Sequence, residues 1–301
     1  MTDGKCMSCP RKCGALRESA QTLGICSVEK RIKISRAALH FWEEPCLSGN
    51  RGSGTIFFSG CNLKCVYCQN RDISGGRTGY YVTEDELARE MYRLRDEGAH
   101  NINLVTPSHY YHEIKPVLER VKGDIGIPIV SNTSSYDSVE VLKEMEGLID
   151  IYLADFKYVS PDLAMKYSHA ADYPAVAMDA IAEMYRQTGP CVFDRDGMLK
   201  SGIIVRNLLL PGHVKESAEA VEYIYRTYGD NVYISIMSQY TPYKIPDEYQ
   251  EINRCVTKRE YKRLLDRVLD TGVTNAFIQE GEVAKESFIP DFLNNNPRNN
   301  Q

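Results

Sequence analysis

The chain has 301 residues, 43% apolar and 26% charged, enough for one large α/β domain or two modest ones with a sizeable core. A formal charge of −5 and a pI near 5.8 provide no general attraction to nucleic acid or anionic membranes, and no run approaches the ~18 apolar residues of a membrane-crossing helix. The opening "MTDGKCMSCPRKCG" lacks the apolar stretch of a secretion signal, so a cytoplasmic protein is expected, and ten cysteines there point to metal or redox chemistry rather than disulfides.

In chain order, residues 1–50 read as a cysteine-rich, irregular segment, with "CPRKCG" and "SGNRGSG" as turns and loops. Cys6, Cys9, Cys13 and Cys26 form Cys-x2-Cys-x3-Cys-x12-Cys. Four thiolates so close together with few apolar neighbours imply a metal standing in for a core. A closed tetrahedral zinc site fits, and so does a second iron–sulfur cluster relaying electrons. Residues 51–290 form the expected main body, and 291–301, with "NNNPRNNQ", a disordered tail. Cys46, Cys191 and Cys255 are isolated and read as ordinary thiols.

From residue 55 strands and helices alternate. The strand runs are "TIFFS", "NINLVT", "IPIVSN", "DIYLADF", "GIIVRNLLL", "VYISIMS" and a last short "NAFIQ". Between them lie helical patterns. "VTEDELAREMYRLRDEG" carries an N-cap at Thr83, Glu86 three residues on and Gly98 as the stop. "YYHEIKPVLERVKG" is a helix containing a proline, and a hairpin-like insert, "CVFDRDGMLKSG", precedes the fifth strand. Such alternation means βαβ units and a parallel sheet, either a partial (β/α) barrel or a doubly wound sheet. Both place chemistry at the C-terminal ends of the strands.

The most informative stretch, "SGCNLKCVYCQN", follows the first of these strands directly. Cys61, Cys65 and Cys68 offer three soft ligands, which suit zinc, copper(I) or an iron–sulfur cluster. A cubane held by three thiolates keeps one iron open. Zinc completed by a distant histidine, or plain buried thiols, are the other readings; zinc motifs usually place their thiolates as two separated pairs.

Cys-x3-Cys-x2-Cys with an aromatic before the last cysteine, after the first strand of a β/α chain, resembles the radical S-adenosylmethionine (SAM) superfamily. The wider "GSGTIFFSGCNLKCVYCQN" is similar to its branch related to pyruvate formate-lyase activating enzymes. "CPRKCG", "LADFKY" and "MSQYTPY" resemble a narrower group in that branch with an N-terminal four-cysteine segment. The resemblance covers about residues 54–280 and implies a partial (β/α)6 TIM-like barrel. It also implies a 4Fe-4S cluster on Cys61, Cys65 and Cys68 whose open iron binds the amino and carboxylate groups of SAM. An electron then cleaves SAM to methionine and a 5′-deoxyadenosyl radical that abstracts hydrogen from a substrate. By position Tyr67 lies beside the adenine.

Other strand ends supply further candidates for gripping SAM. Most relatives carry Gly-Gly-Glu after the second strand, where this chain has "VTPSHYYH". Thr106 is the candidate there, and His109 and His112 are acid/base candidates or satisfied histidines. After the third strand Ser131 and Asn132 are ribose or carboxylate ligands, or turn chemistry. Asp155 and Lys157 alternate with apolar residues and share a face; they resemble the Asp-x-Lys of glycyl-radical activating enzymes, whose lysine holds the SAM carboxylate. Arg206 in its apolar strand needs a partner, either SAM, substrate or a structural ion pair. Met237, Gln239 and Tyr240 are candidates for the substrate end, Gln279, Glu280 and Glu282 for the mouth, and His213 is unassigned.

The resemblance implies an oxidoreductase that activates a glycyl radical enzyme, with that large protein as substrate and a flavodoxin or ferredoxin as electron donor. No nucleic acid or membrane partner is expected. Two alternatives are radical modification of another peptide, nucleotide or small metabolite, and a non-catalytic iron–sulfur sensor or electron carrier.

Overall fold

The computed structural model describes residues 4–278. The strands are β1 (Lys33–His40), β2 (Ser53–Phe58), β3 (Tyr80–Tyr81), β4 (Ile102–Val105), β5 (Ile129–Thr133), β6 (Ile151–Asp155), β7 (Val192–Phe193), β8 (Leu199–Leu208), β9 (Tyr233–Met237) and β10 (Ala276–Ile278). All seven strand runs of the main body appear, as β2, β4, β5, β6, β8, β9 and β10, and every neighbouring pair among them is parallel. Their order across the sheet is their order in the chain. A doubly wound sheet would reverse direction at a switch point; this one never does, so the wall is that of a partial (β/α) barrel. The hairpin-like insert is β7 paired antiparallel with the start of β8.

One strand departs from expectation. Residues 33–40, read as irregular, form β1, antiparallel to both β2 and β3. A register shift between Ile34 and Arg36 breaks its alternation, which is why "KISRAALH" shows no period of two. The helix Glu84–Asp96 has the expected capping box: Thr83 Oγ1 accepts from the Glu86 N–H, and Glu86 returns the bond to the Thr83 N–H. Pro116 lies inside the helix Tyr111–Val121 but on its exposed side, where water can satisfy the carbonyl it leaves unpaired. Among the described residues, no helix is long and apolar enough to cross a membrane.

The two faces of the wall do different work. Ile129, Tyr152, Ala154, Ile203 and Val205 belong to the large apolar cluster shared with the surrounding helices. Their alternates turn the other way. Val130, Ile151, Leu153 and Ile204 pack with Cys46 and Leu47, from the short helix Pro45–Ser48, into a separate buried cluster. That cluster forms the floor of the barrel, and each Leu, Ile or Val in it contributes ~1.5–3 kcal/mol by burial. Further along the same face come Asn132, level with Leu153, and then the paired Asp155 and Arg206. Moving along the interior toward the C-terminal strand ends, it therefore changes from apolar to polar, and the period of two fixes which residues face it.

Candidate active site

A cavity of about 670 Å³ occupies the C-terminal end of the barrel, within the range of small-molecule and cofactor sites. Cys61, Cys65 and Cys68 line it together with Tyr67, Thr106, Asn132, Asp155, Lys157 and Arg206.

The cysteine loop leaves β2 through Ser59 and Gly60. Gly60 has φ +85°, and a Cβ there would lie 2.5 Å from the Cys26 carbonyl oxygen, so this position needs glycine twice over. Lys64 also takes a left-handed conformation. The Leu63 N–H donates to Cys61 Sγ at 3.4 Å, and the Ser168 hydroxyl donates to Cys65 Sγ at 3.0 Å. Burial pushes the Cys65 thiol up, with the Lys157 charge and Ser168 acting against it. Burial, then the neighbouring Cys65 and Cys61, pushes Cys68 up to about 12. At Cys65 and Cys68 burial thus disfavours the thiolate, and a bound metal would supply compensating positive charge.

Opposite the thiols is a charge cluster. The Asp155 carboxylate accepts from Lys157 Nζ at 2.6 Å and from Arg206 Nε at 2.8 Å. Burial works to raise the Asp155 pKa, and the charges of Arg206 and Lys157 outweigh it, holding Asp155 below the usual carboxylate range. Burial likewise works against the Lys157 cation, and Asp155 outweighs it. Arg206 also donates to Asn132 Oδ1 at 2.7 Å and Glu43 Oε2 at 3.2 Å. The structural ion pair and the cavity position expected as alternatives for Arg206 are both present.

Glu43 and Glu44 are the residues that sequence reasoning missed. They lie between β1 and the short helix, in the segment read as irregular, yet both line the cavity. Glu43 accepts from Asn103 and Asn132 as well as Arg206. Burial, only partly offset by Arg206, raises the pKa of both glutamates. The available signal was a pair of carboxylates between apolar neighbours, "HFWEEPCL", since such charges are rarely buried without partners.

Several candidates land elsewhere. Ser131 is not on the cavity: it is one residue out of phase with Asn132, faces the helices and bonds the Tyr111 hydroxyl at 2.7 Å. His109 is fully buried with Nε2 on the Ser59 carbonyl at 2.8 Å, and burial pushes it down to about 3. His112 bonds Ser8, and His213 bonds Tyr167. Met237 and Gln239 line the cavity, whereas the Tyr240 hydroxyl is buried on the Ile252 carbonyl. Thr106 combines a cavity position with φ +58°, an uncommon conformation for a β-branched residue. Tyr67 is buried, receives the Tyr158 hydroxyl at 2.8 Å and packs edge-on against Tyr167 and Tyr240. Gln279, Glu280 and Glu282 and the polar tail lie outside the described residues.

The N-terminal cysteines lie against this site. The Cys61 N–H donates to the Cys26 carbonyl at 3.3 Å, and Arg11 donates to the carbonyls of Asn62 and Leu63 inside the cysteine loop. Among the described residues, no three Cys, His, Asp or Glu side chains converge to share one metal ion. Cys61, Cys65 and Cys68 are three soft donors on one cavity-lining loop, and by donor chemistry they would fit an iron–sulfur cluster, in which each thiolate binds its own iron.

A parallel barrel wall with three thiols at the end of its first strand defines a class as well as a fold. The Radical SAM superfamily matches residues 55–224, more than half of the chain, and the protein belongs to that superfamily. The chain is 29% identical to the uncharacterized protein MJ0674 of Methanocaldococcus jannaschii over 270 residues, 87% of this chain and 73% of that one. Among solved structures, Streptococcus suis SuiB bound to precursor peptide SuiA superposes with a TM-score of 0.50 at 13% identity, covering 70% of this chain and 43% of SuiB. Methylornithine synthase (PylB) gives 0.48 at 14%, covering 70% and 60%. The chain thus spans less than two thirds of either solved chain, and at 13% identity the likeness to SuiB is one of fold.

Proposed function

We propose that the protein is a radical SAM oxidoreductase whose substrate is a glycine Cα–H in a glycyl radical enzyme. The observation that carries the radical step is the meeting, across one cavity, of the three-thiol loop with the Asp155–Lys157–Arg206 cluster. When bound, a 4Fe-4S cluster supplies the electron that splits SAM into methionine and the 5′-deoxyadenosyl radical that takes the hydrogen.

The chain's own residues bind, orient and shield. Cys61, Cys65 and Cys68 would hold the cluster. Lys157, kept charged by Asp155, receives the SAM carboxylate; Asp155 in turn is fixed from the other side by Arg206. Tyr67 packs beside the adenine. Thr106 and Asn132 offer polar groups to the amino group and ribose, in place of the Gly-Gly-Glu of relatives. The buried floor keeps water from the reacting centre. Holding the substrate C–H at near-attack distance is the principal task and is worth up to ~7–11 kcal/mol in well-oriented systems.

The glycine substrate is supported by the likeness of "LADFKY" and the wider cysteine motif to activating enzymes, and by a cavity that reaches the surface beside Trp42 and Ile278, where a loop of a large partner has access. A flavodoxin or ferredoxin is the electron donor. Anaerobic reconstitution with iron, sulfide, SAM and dithionite tests both levels. 5′-Deoxyadenosine is the expected product, and a glycyl-radical EPR doublet is expected in a co-incubated partner. Deoxyadenosine without the doublet across candidate partners refutes the glycine substrate and moves the reading to another peptide, nucleotide or metabolite.

A further inference from the structure

We propose that Ser168 is a positioning residue of the radical site: its hydroxyl, bonded to Cys65 Sγ, makes the group held by the cysteine loop easier to reduce, and Arg11 holds that bond in place from the N-terminal segment. The inference rests on the function proposed above and assigns roles to two residues outside the cysteine motif.

Ser168 is the last residue of the helix Pro161–Ser168 and is fully buried, so its hydroxyl has only protein groups to serve. Its Oγ donates to Cys65 Sγ at 3.0 Å, closer than the Leu63 N–H comes to Cys61 Sγ. Behind it stands the buried Tyr158, whose Oη lies 2.9 Å from Ser168 Oγ and 2.8 Å from Tyr67 Oη. That contact fixes where the serine oxygen sits and ties it to the aromatic proposed beside the adenine. A donor aimed at a ligand sulfur stabilises the more negative, reduced state over the oxidised one, and so raises the reduction potential. Burial strengthens the effect, because no water competes for the sulfur.

The cysteine loop and the helix end are about a hundred residues apart in the chain, and separate contacts bind them. The Val66 N–H donates to the Tyr167 carbonyl at 2.8 Å. Arg11 makes the larger clamp. Its guanidinium donates to the Asn62 and Leu63 carbonyls of the loop at 2.9 and 3.0 Å, and to the Ser168 and His169 carbonyls of the helix end. His169 closes the helix in the left-handed conformation, φ +52°. The last carbonyls of a helix lack partners within it, and Arg11 supplies two. The guanidinium also lies over the Tyr136 ring, 5.1 Å from its centroid. Its donors form a rigid planar fork, so fixing four carbonyls fixes the loop against the helix. Arg11 stands between Cys9 and Cys13, and order in that segment therefore reaches Cys65 through this residue.

The test is an anaerobic, EPR-monitored reductive titration of the full chain reconstituted with iron and sulfide, following the signal that Cys65→Ala removes. Ser168→Ala should bind the same iron and sulfide as the wild type. Its midpoint should fall by about 59 mV, a tenfold loss in the reduced-to-oxidised ratio for one electron. Ser168→Thr keeps the hydroxyl and should bring the midpoint back. Arg11→Gln should lower it by less, and should add nothing in the Ser168→Ala background. A serine that merely fills space would leave the midpoint where it is. An unmoved midpoint in Ser168→Ala, or a threonine variant that matches the alanine one, overturns the role of Ser168; an Arg11→Gln shift that adds in full to Ser168→Ala overturns the clamp. Where the wild-type signal responds to SAM, either result refutes this inference alone. Midpoints that shift as expected in a signal indifferent to SAM refute the radical reading alone, and a wild type that takes up no cluster on this loop refutes both.

Discussion

The barrel wall and the N-terminal segment place their functional groups by opposite means. In the wall, the two-residue period of each strand turns Asn132, Asp155 and Arg206 to the face of the apolar floor, the parallel register pairs Asp155 with Arg206, and hydrogen bonds draw Asn132 to Arg206. In the N-terminal segment no strand precedes β1 among the described residues, and position comes from backbone turns and two arginines reaching carbonyls. The wall should therefore hold its shape without a bound cofactor, whereas the N-terminal segment should be the less stable of the two.

The largest effect expected from that contrast is catalytic. Cys65→Ala should abolish deoxyadenosine formation while circular dichroism and melting behaviour stay near those of the apo wild type; retained turnover would show that the cysteine loop is not the site. Next comes the charge cluster. Asp155→Asn leaves Lys157 and Arg206 buried without their shared carboxylate and should cost about 3–5 kcal/mol in denaturant unfolding, far more than an exposed ion pair would. At the boundary between the two regions, Gly60→Ala forces a Cβ against the Cys26 carbonyl at a left-handed position. It should cost on the order of 1–3 kcal/mol and speed proteolysis of the N-terminal segment before that of the barrel. Equal rates for both would make the two regions one unit. The smallest effect is electrostatic. Burial raises the Glu44 pKa, so its contribution to stability is fully present below the ordinary glutamate pKa of ~4.3 and is lost as pH rises through the elevated value. Replacing it in Glu44→Gln should flatten that decline, measured as unfolding free energy from pH 4 upward.

How much could be read from the sequence follows the same division. Asp155 and Lys157 were legible because alternation in a strand assigns faces, and Cys61, Cys65 and Cys68 because their spacing is specific and they follow the first parallel strand directly. Ser131 failed for the same rule applied one residue out of phase: its neighbour Asn132 faces the cavity, and Ser131 bonds Tyr111 on the outer side. β1 was hidden by its register shift. Glu43 and Glu44 were hidden because a loop that folds into the open end of a barrel has no periodicity; only the physical oddity of two carboxylates among apolar residues marks them. The junction of Cys26 with Cys61 joins residues far apart in the chain and leaves no local trace except the glycines that permit it.

The central claim is that a three-thiolate cluster at Cys61, Cys65 and Cys68 presents an open position to SAM. EPR of the reduced, anaerobically reconstituted protein tests it most directly when recorded without SAM and then with it, alongside Cys65→Ala. A cluster signal that changes on adding SAM and is missing in the variant is the expected result. A signal indifferent to SAM, or one that survives in Cys65→Ala with its SAM response intact, would contradict it.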